Sequence, residues 1–258
     1  MEPITIGIIV TSCAFGGAIL GMLAGMVLPK HHLSAESKDV IKVAMAMTAT
    51  IAALVVSLLV STAKASFDDK DNQLRQQAAR TIMLDRLLAQ YGPETREERA
   101  LLRAMTEEKL RVIWGEGTST DLDANIDLNV LRQKNFGIEA LQSKLLALAP
   151  KDDRQAAIKA RALDVSYQIA EGHWQLTEQL ESRIQWPFLA MVTFWLTIVF
   201  MSFGVFAPRN TSVIAALCVG ALSVGTALYM IVEMDSPYGG FITISSAPVR
   251  SALEQLGR

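Results

Sequence analysis

The chain has 258 residues; 51% are hydrophobic, 19% are charged, and the formal net charge is −2. A near-neutral chain with no basic stripe has no grip on a phosphate backbone, so nucleic acid is excluded as an expected partner. Cys13 and Cys218 both lie in apolar runs, which leaves the polar stretches without thiols for a disulfide framework or a thiolate zinc site.

The averages conceal segregation. No Asp, Glu, Lys or Arg occurs between Glu2 and Lys30, Lys42 and Lys64, Arg183 and Arg209, or Arg209 and Glu233. Each run reaches the roughly 20 residues that a helix needs to cross a hydrocarbon core of about 30 Å. A soluble core helix keeps a polar face and is rarely so long. Four membrane helices are therefore expected, over Ile4–Leu28, Val43–Ala63, Trp186–Ala207 and Thr211–Val232. The first reads as a span and not as a leader: no basic residue precedes it, Glu2 flanks it, and it exceeds the length of a leader's apolar region.

Four segments follow: residues 1–63 with the first two spans, 64–185 as a polar helical domain, 186–232 with the last two spans, and 233–258 as a tail. The loop Pro29–Lys42 is short, and Pro208–Arg209–Asn210 makes a tight hairpin of the last pair. In the polar segment, Leu74, Ala78, Ile82 and Tyr91 recur at helical spacing, widened by Leu84, Leu87 and Leu88, and Gly92–Pro93 ends the pattern. A second helix is expected over Glu94–Trp114 with Gly115 beyond its end, a loop over Gly115–Asn125, and a helix over Ile126–Ala149 broken near Phe136–Gly137. A long helix over Lys151–Ile184 should then feed into the third span, with a kink at Pro187 and Trp186 as an interfacial anchor. In the tail, "FITIS" (Phe241–Ser245) is the longest strand-like stretch. A short helix follows, capped by Ser245 or Ser246, with Val249, Ala252, Leu253 and Leu256 on one apolar face.

Gly17, Gly21 and Gly25 form a doubled small-xxx-small ladder that lets two backbones approach, either within the chain or between subunits. On the second span, Thr50, Ala53, Ser57, Ser61, Lys64 and Asp68 fall within an arc of about 80°. This narrow stripe of small and hydroxyl side chains running into charge marks either a water-lined face or hydroxyls satisfied by backbone and neighbouring helices. Glu233 and Asp235, at the end of the fourth run, are open to cation binding, pairing or hydration; two carboxylates alone are too few for calcium. No phosphate loop, nucleophile elbow or paired metal motif occurs, and the adjacent His31 and His32 point to different faces. No enzyme activity and no cofactor is expected. Positive charges nearly balance on the two sides, so charge alone does not fix orientation.

"STAKASFDDKDNQLRQQAARTIMLDRLLAQYGPET" (Ser61–Thr95) and "EMDSPYGGFITISSAPVRSALEQL" (Glu233–Leu256) resemble the bestrophin-like family of bacterial membrane proteins. Its members show an "SFD" exit from helix two, an "LDRLLxxYGPE" segment and a tail of the form D-x-P-[FY]-x-G…S-x-x-P…AL. The family is in turn similar, more distantly, to bestrophins proper, which are pentameric anion channels with four membrane helices per subunit, cytosolic termini and a pore lined by helix two. The resemblance implies a multi-pass protein of the bacterial inner membrane with both termini, polar domain and tail in the cytosol. It implies a symmetric homo-oligomer, plausibly a pentamer, in the lipid bilayer, with small inorganic ions passing along Thr50, Ala53, Ser57 and Ser61. Lys64 and Asp68 would stand at the mouth as rings of opposite charge. Two departures stand out. The neck positions are small where bestrophins carry bulky apolar residues, and the calcium-binding acidic cluster is reduced to Glu233 and Asp235.

The expectation is an all-α integral membrane protein acting as a passive ion channel, with anions favoured over cations. Its rivals are a non-conducting scaffold whose cytosolic helices bind a partner, and a membrane enzyme or transporter. The latter needs an ionisable group at membrane depth, which the charge-free runs do not supply.

Overall fold

The computed structural model of the chain describes residues 3–27, 35–115, 137–181, 186–235 and 240–257. Its helices are α1 (Pro3–Val27), α2 (Ala35–Tyr91), α3 (Arg96–Trp114), α4 (Ile138–Ala147), α5 (Asp153–Glu181), α6 (Trp186–Phe206), α7 (Thr211–Asp235) and α8 (Ala247–Gln255), with a 3-10 turn over Pro93–Thr95. There is no strand among the described residues; Phe241–Ser245 is irregular. Four helices, α1, α2, α6 and α7, are long and apolar enough to cross a membrane. The chain divides into two compact units: Met1–Ser66 with Arg183–Asp235, and Phe67–Ser182 with Ser236–Arg258.

Two boundaries differ from the hydropathy reading, each for a physical reason. α2 begins at Ala35, eight residues before Val43, because hydropathy detects only the apolar part of a helix. The preceding Ala, Glu and Lys residues are good helix formers and continue it into water. α7 runs to Asp235, three residues past Val232, where apolarity alone ends the span, so Glu233 is still helical. Pro187 sits in the first turn of α6, where its missing N–H costs no helical bond. The expected passage from α5 into α6 crosses residues 182–185, which lie outside the described residues. The same is true of most of the Gly115–Asn125 loop, of residues 126–136 and of His31 and His32.

In the first unit α1 is held by backbone approach. A Cβ on Gly17 would lie 2.8 Å from the Thr197 carbonyl oxygen, and one on Gly25 2.8 Å from that of Val205; on Gly21 it would run into the Met201 carbonyl. The constant offset of the three pairs means that α1 and α6 run parallel. α7 crosses α1 in the opposite sense: Gly7 lies against Tyr229 and Gly225, and Thr11 against Gly225. In lipid, where apolar burial drives little, such contact gains dispersion and brings weak carbonyl interactions into range. Two apolar clusters complete the unit. One joins Val10, Ala63, Val192, Leu228 and Ile231; the other joins Ala14, Ala18, Phe200 and Ala221.

The second unit has a water-type core. Leu84 and Leu88 of α2, Leu102 of α3, Leu141 and Leu145 of α4, and Val165 of α5 are all buried in one cluster. Of the periodic residues read from the sequence, Leu74, Ala78, Leu84, Leu88 and Tyr91 are between 0% and 7% exposed, while Ile82 and Leu87 are only half-buried. The turn after α2 needs its glycine, since Gly92 adopts φ 140° and a Cβ there would press on the Glu94 carboxylate. Thr95 locks that turn by donating its hydroxyl to the carbonyls of Leu88 and Gly92. The α8 face lands as read: Val249, Ala252 and Leu256 are buried and Leu253 is half-buried. Ser246 takes the cap position but makes no side-chain cap bond.

Ion pairs tie the start of α3 and the turn before it to later elements. Lys144 of α4 donates to Glu97 at 2.9 Å, and Lys151 pairs with Glu94. The lysine hydrogen bonds hold both carboxyls below their ordinary value of 4.5 and raise the lysines above 10.5. The acids therefore add stability above about pH 4.5, lost as pH falls through their lowered values. The lysines add stability below about 10.5, lost as pH rises through their raised values.

Two outcomes are expected. Gly21→Ala should lower the thermal unfolding midpoint in detergent by several degrees, while Gly16→Ala, whose Cβ meets nothing within 4 Å, should leave it unchanged or raise it; equal effects would refute the notch. Glu97→Gln should flatten the loss of melting temperature on acidification from about pH 5 to 3 relative to the parent chain, the range that spans the ordinary carboxyl value and the lowered one. An unchanged slope would show that the Lys144 pair contributes nothing.

Candidate functional site

α2 is the least covered of the four apolar helices. Of its most apolar window 6% is buried, against 39% for α1. Its packed side consists of Ala52 and Ala63, 1% and 3% exposed, with Val55, Val56 and Leu59 against the apolar cluster. The stripe read from the sequence lies about 150° round the helix from that side. Thr50, Ala53, Ser57, Ser61, Lys64 and Asp68 are all exposed in the protomer. The stripe is flanked by exposed Ile51, Leu54 and Leu58 on one side and Val60 on the other, side chains suited to lipid or another subunit.

The hydroxyls of the unit fall into two groups. Thr11, Thr48, Thr50, Thr193, Thr197, Ser202, Ser223 and Thr226 each donate to the carbonyl four residues back at 2.7–3.0 Å. The hydroxyls of Ser57, Ser61 and the neighbouring Thr62 on α2, like those of Thr5 and Ser12 on α1, Ser66 on α2 and Thr211 and Ser212 on α7, make no hydrogen bond among the described residues. On α2 the deepest of these is Ser57, seven residues before Lys64. A hydroxyl left unbonded in hydrocarbon costs several kcal/mol on the strictest scale, so its position calls for water or a polar neighbour.

Beyond the span the stripe becomes ionic. Lys64 and Asp68 both have interactions within the protomer, and Arg75 pairs with Asp71 at 2.8 Å one turn on. The glycines Gly17, Gly21 and Gly25 are occupied by α6, so their notches are filled inside the protomer. Glu233 is 3% exposed, and Tyr229, one turn earlier on α7, hydrogen-bonds its carboxylate; Asp235 is half-buried. No group of three His, Cys, Asp or Glu side chains that could hold a metal occurs among the described residues. The Tyr229–Glu233 bond was open to a sequence reading through its i, i+4 spacing. The small residues Gly7, Gly204 and Gly225, each lodged against a facing backbone or side chain, carry no such pattern.

The sequence matches the family model described as "Bestrophin-like domain" over residues 12–249. No curated protein matches it. Two crystal structures of a bacterial bestrophin homologue from Klebsiella pneumoniae are similar at 12% identity. One has a TM-score of 0.59 and covers 93% of this chain and 96% of that one; the other, a single-substitution variant, has 0.60 with 94% and 97%. At that identity the likeness concerns the fold.

With Cys13 and Cys218 replaced by serine, Ser57→Cys and Ala53→Cys should react in intact membranes with a charged thiol reagent, which needs an aqueous thiolate, while Ala52→Cys should not. Protection of the Ser57→Cys thiol, with a Lys64→Cys control reacting normally, would place the stripe against protein or lipid.

Proposed function

Because the chain belongs to the bestrophin-like family, we propose that it is a passive ion channel whose pore is lined by α2 around the axis of a symmetric homo-oligomer, a pentamer by family resemblance. The observation that carries this reading is the exposed face of α2 opposite its packed side, with the Ser57 and Ser61 hydroxyls unbonded among the described residues at membrane depth. Around a shared watery axis those hydroxyls regain hydrogen bonds, whereas in lipid they do not. Thr50 differs in detail: its proton is committed to the Ala46 carbonyl at 2.8 Å, so it offers only oxygen lone pairs.

The side chains along that face supply the remaining properties. Ala53, Ser57 and Ser61 make a neck of small residues, wide enough to stay wet, so closure by dewetting of a bulky apolar ring is not part of the proposal. Lys64 forms the ring nearest the span and Asp68 the next, and the nearer cationic ring favours small anions such as chloride. Glu233, buried and bonded by Tyr229, is a structural carboxylate and not a calcium ligand. Both termini, the polar unit and the tail lie in the cytosol, and the membrane is the bacterial inner membrane.

Purified protein in lipid vesicles should carry chloride down its gradient, with a reversal potential following chloride more closely than potassium. Ser57→Trp should abolish the flux while leaving the size of the assembly unchanged. Absence of flux for the parent chain under any salt gradient would identify a non-conducting scaffold instead.

A further inference from the structure

The charge-free stretch of α2 is closed by a lysine at each end, Lys42 and Lys64. Their spacing of 22 positions corresponds to about 33 Å of helix, close to the thickness of a hydrocarbon core. At 100° per residue the two stand about 40° apart round the axis, each within about 20° of the Ala53 line. On its outward side each lysine is followed by an acid: Asp39 lies three residues before Lys42, and Asp68 four residues after Lys64. Asp39 falls on the Ser57 line, since the 18 positions between them make about five full turns. Read outward from the neck, the order of charge is therefore the same at both ends, cation first and anion one turn further.

The Lys42 end is open in the protomer. The side chains of Lys42 and Asp39 are 62% and 75% exposed, meet at 3.4 Å, and make no other interaction among the described residues. The packed side of this half of α2 points elsewhere: Ile41 and Met45 are half-buried, and Ser202 of α6 lies 3.0 Å from the Met45 sulfur. Both residues sit about 120–160° round the helix from Asp39. An exposed pair holds its partners loosely, so the Lys42 ammonium remains available to ions from solution.

We propose that Lys42 is the anion-selecting residue of the mouth at the Ala35 end of α2, so that a cationic ring stands at each end of the hydroxyl-lined neck. This rests on the reading of α2 as the pore helix and extends it to the second mouth. The Debye length of about 8–10 Å at physiological salt is a fraction of the separation, so each ring concentrates anions only on its own side. A single cationic ring would favour anion entry from one end; the second lysine balances entry from the other.

In patches of bacterial inner membrane from giant spheroplasts, where every copy has one orientation, the ratio of chloride currents at equal and opposite voltages reads that balance. Lys42→Gln and Lys64→Gln should shift the ratio in opposite directions, each by roughly two-fold at about 0.1 M salt, and both shifts should vanish near 1 M, where the Debye length falls to about 3 Å. The double variant should return to the parent ratio with a smaller total current. Both side chains are exposed, so the size of the assembly should not change. A Lys42→Gln ratio equal to that of the parent, or moving with that of Lys64→Gln, would overturn the assignment while leaving the channel intact, and Lys42 would then be a headgroup anchor. No chloride current in the parent would remove the channel reading itself and the assignment with it.

Discussion

Inside lipid, helices have no water to escape, so what holds them must come from close approach of backbones and from satisfying every polar group. α1 meets that demand almost alone. Its glycines admit the carbonyl side of α6 along one edge, and Gly7 and Thr11 take α7 along another. Two of the three other spans are thereby fixed to one helix, and α2 is left as the span with the most surface unclaimed. The exposed hydroxyl face of α2 is thus a consequence of how the remaining three helices are satisfied, as well as of its own sequence.

The second unit obeys different rules. Water surrounds it, and its cores are built from leucines buried to 0–2% exposure on α2, α3 and α4. Asp85, 1% exposed, is met by the bidentate fork of Arg99, whose guanidinium that hydrogen bond holds protonated above its ordinary range. A buried pair of this kind adds little net stability but penalises any arrangement that leaves either partner alone. It therefore selects one docking of α2 on α3.

Much of this was legible from the residues. The charge-free runs gave the spans because hydrocarbon thickness sets a length that composition reveals. The period of Leu74, Leu84 and Leu88 and the face of Val249, Ala252 and Leu256 marked buried sides because 3.6 residues per turn is a rigid geometry. The start of α2 at Ala35 was missed, since polar helix-forming residues look like loop when only apolarity is followed. The place of Glu233 within α7 was missed for the same reason. Periodicity names a face without naming its partner: nothing in the spacing of Gly17, Gly21 and Gly25 pointed to Thr197, Met201 and Val205. Nothing in the spacing of Asp85 and Arg99, fourteen residues apart on different helices, pointed to their pairing, which only the fold brings about. For the candidate site, the stripe itself was readable. The contrast between Thr50, bonded to its own helix, and Ser57, not so bonded, was not.

The match between α1 and α6 also sets how those two helices can slide. Notches recur every four residues on α1, and the carbonyls that fill them recur every four on α6. A displacement of one residue drives a carbonyl against a side-chain-bearing position, whereas a displacement of four, about 6 Å of rise, recreates two of the three seats. Axial creep between these helices is therefore suppressed, and any travel must occur as a discrete click from one detent to the next.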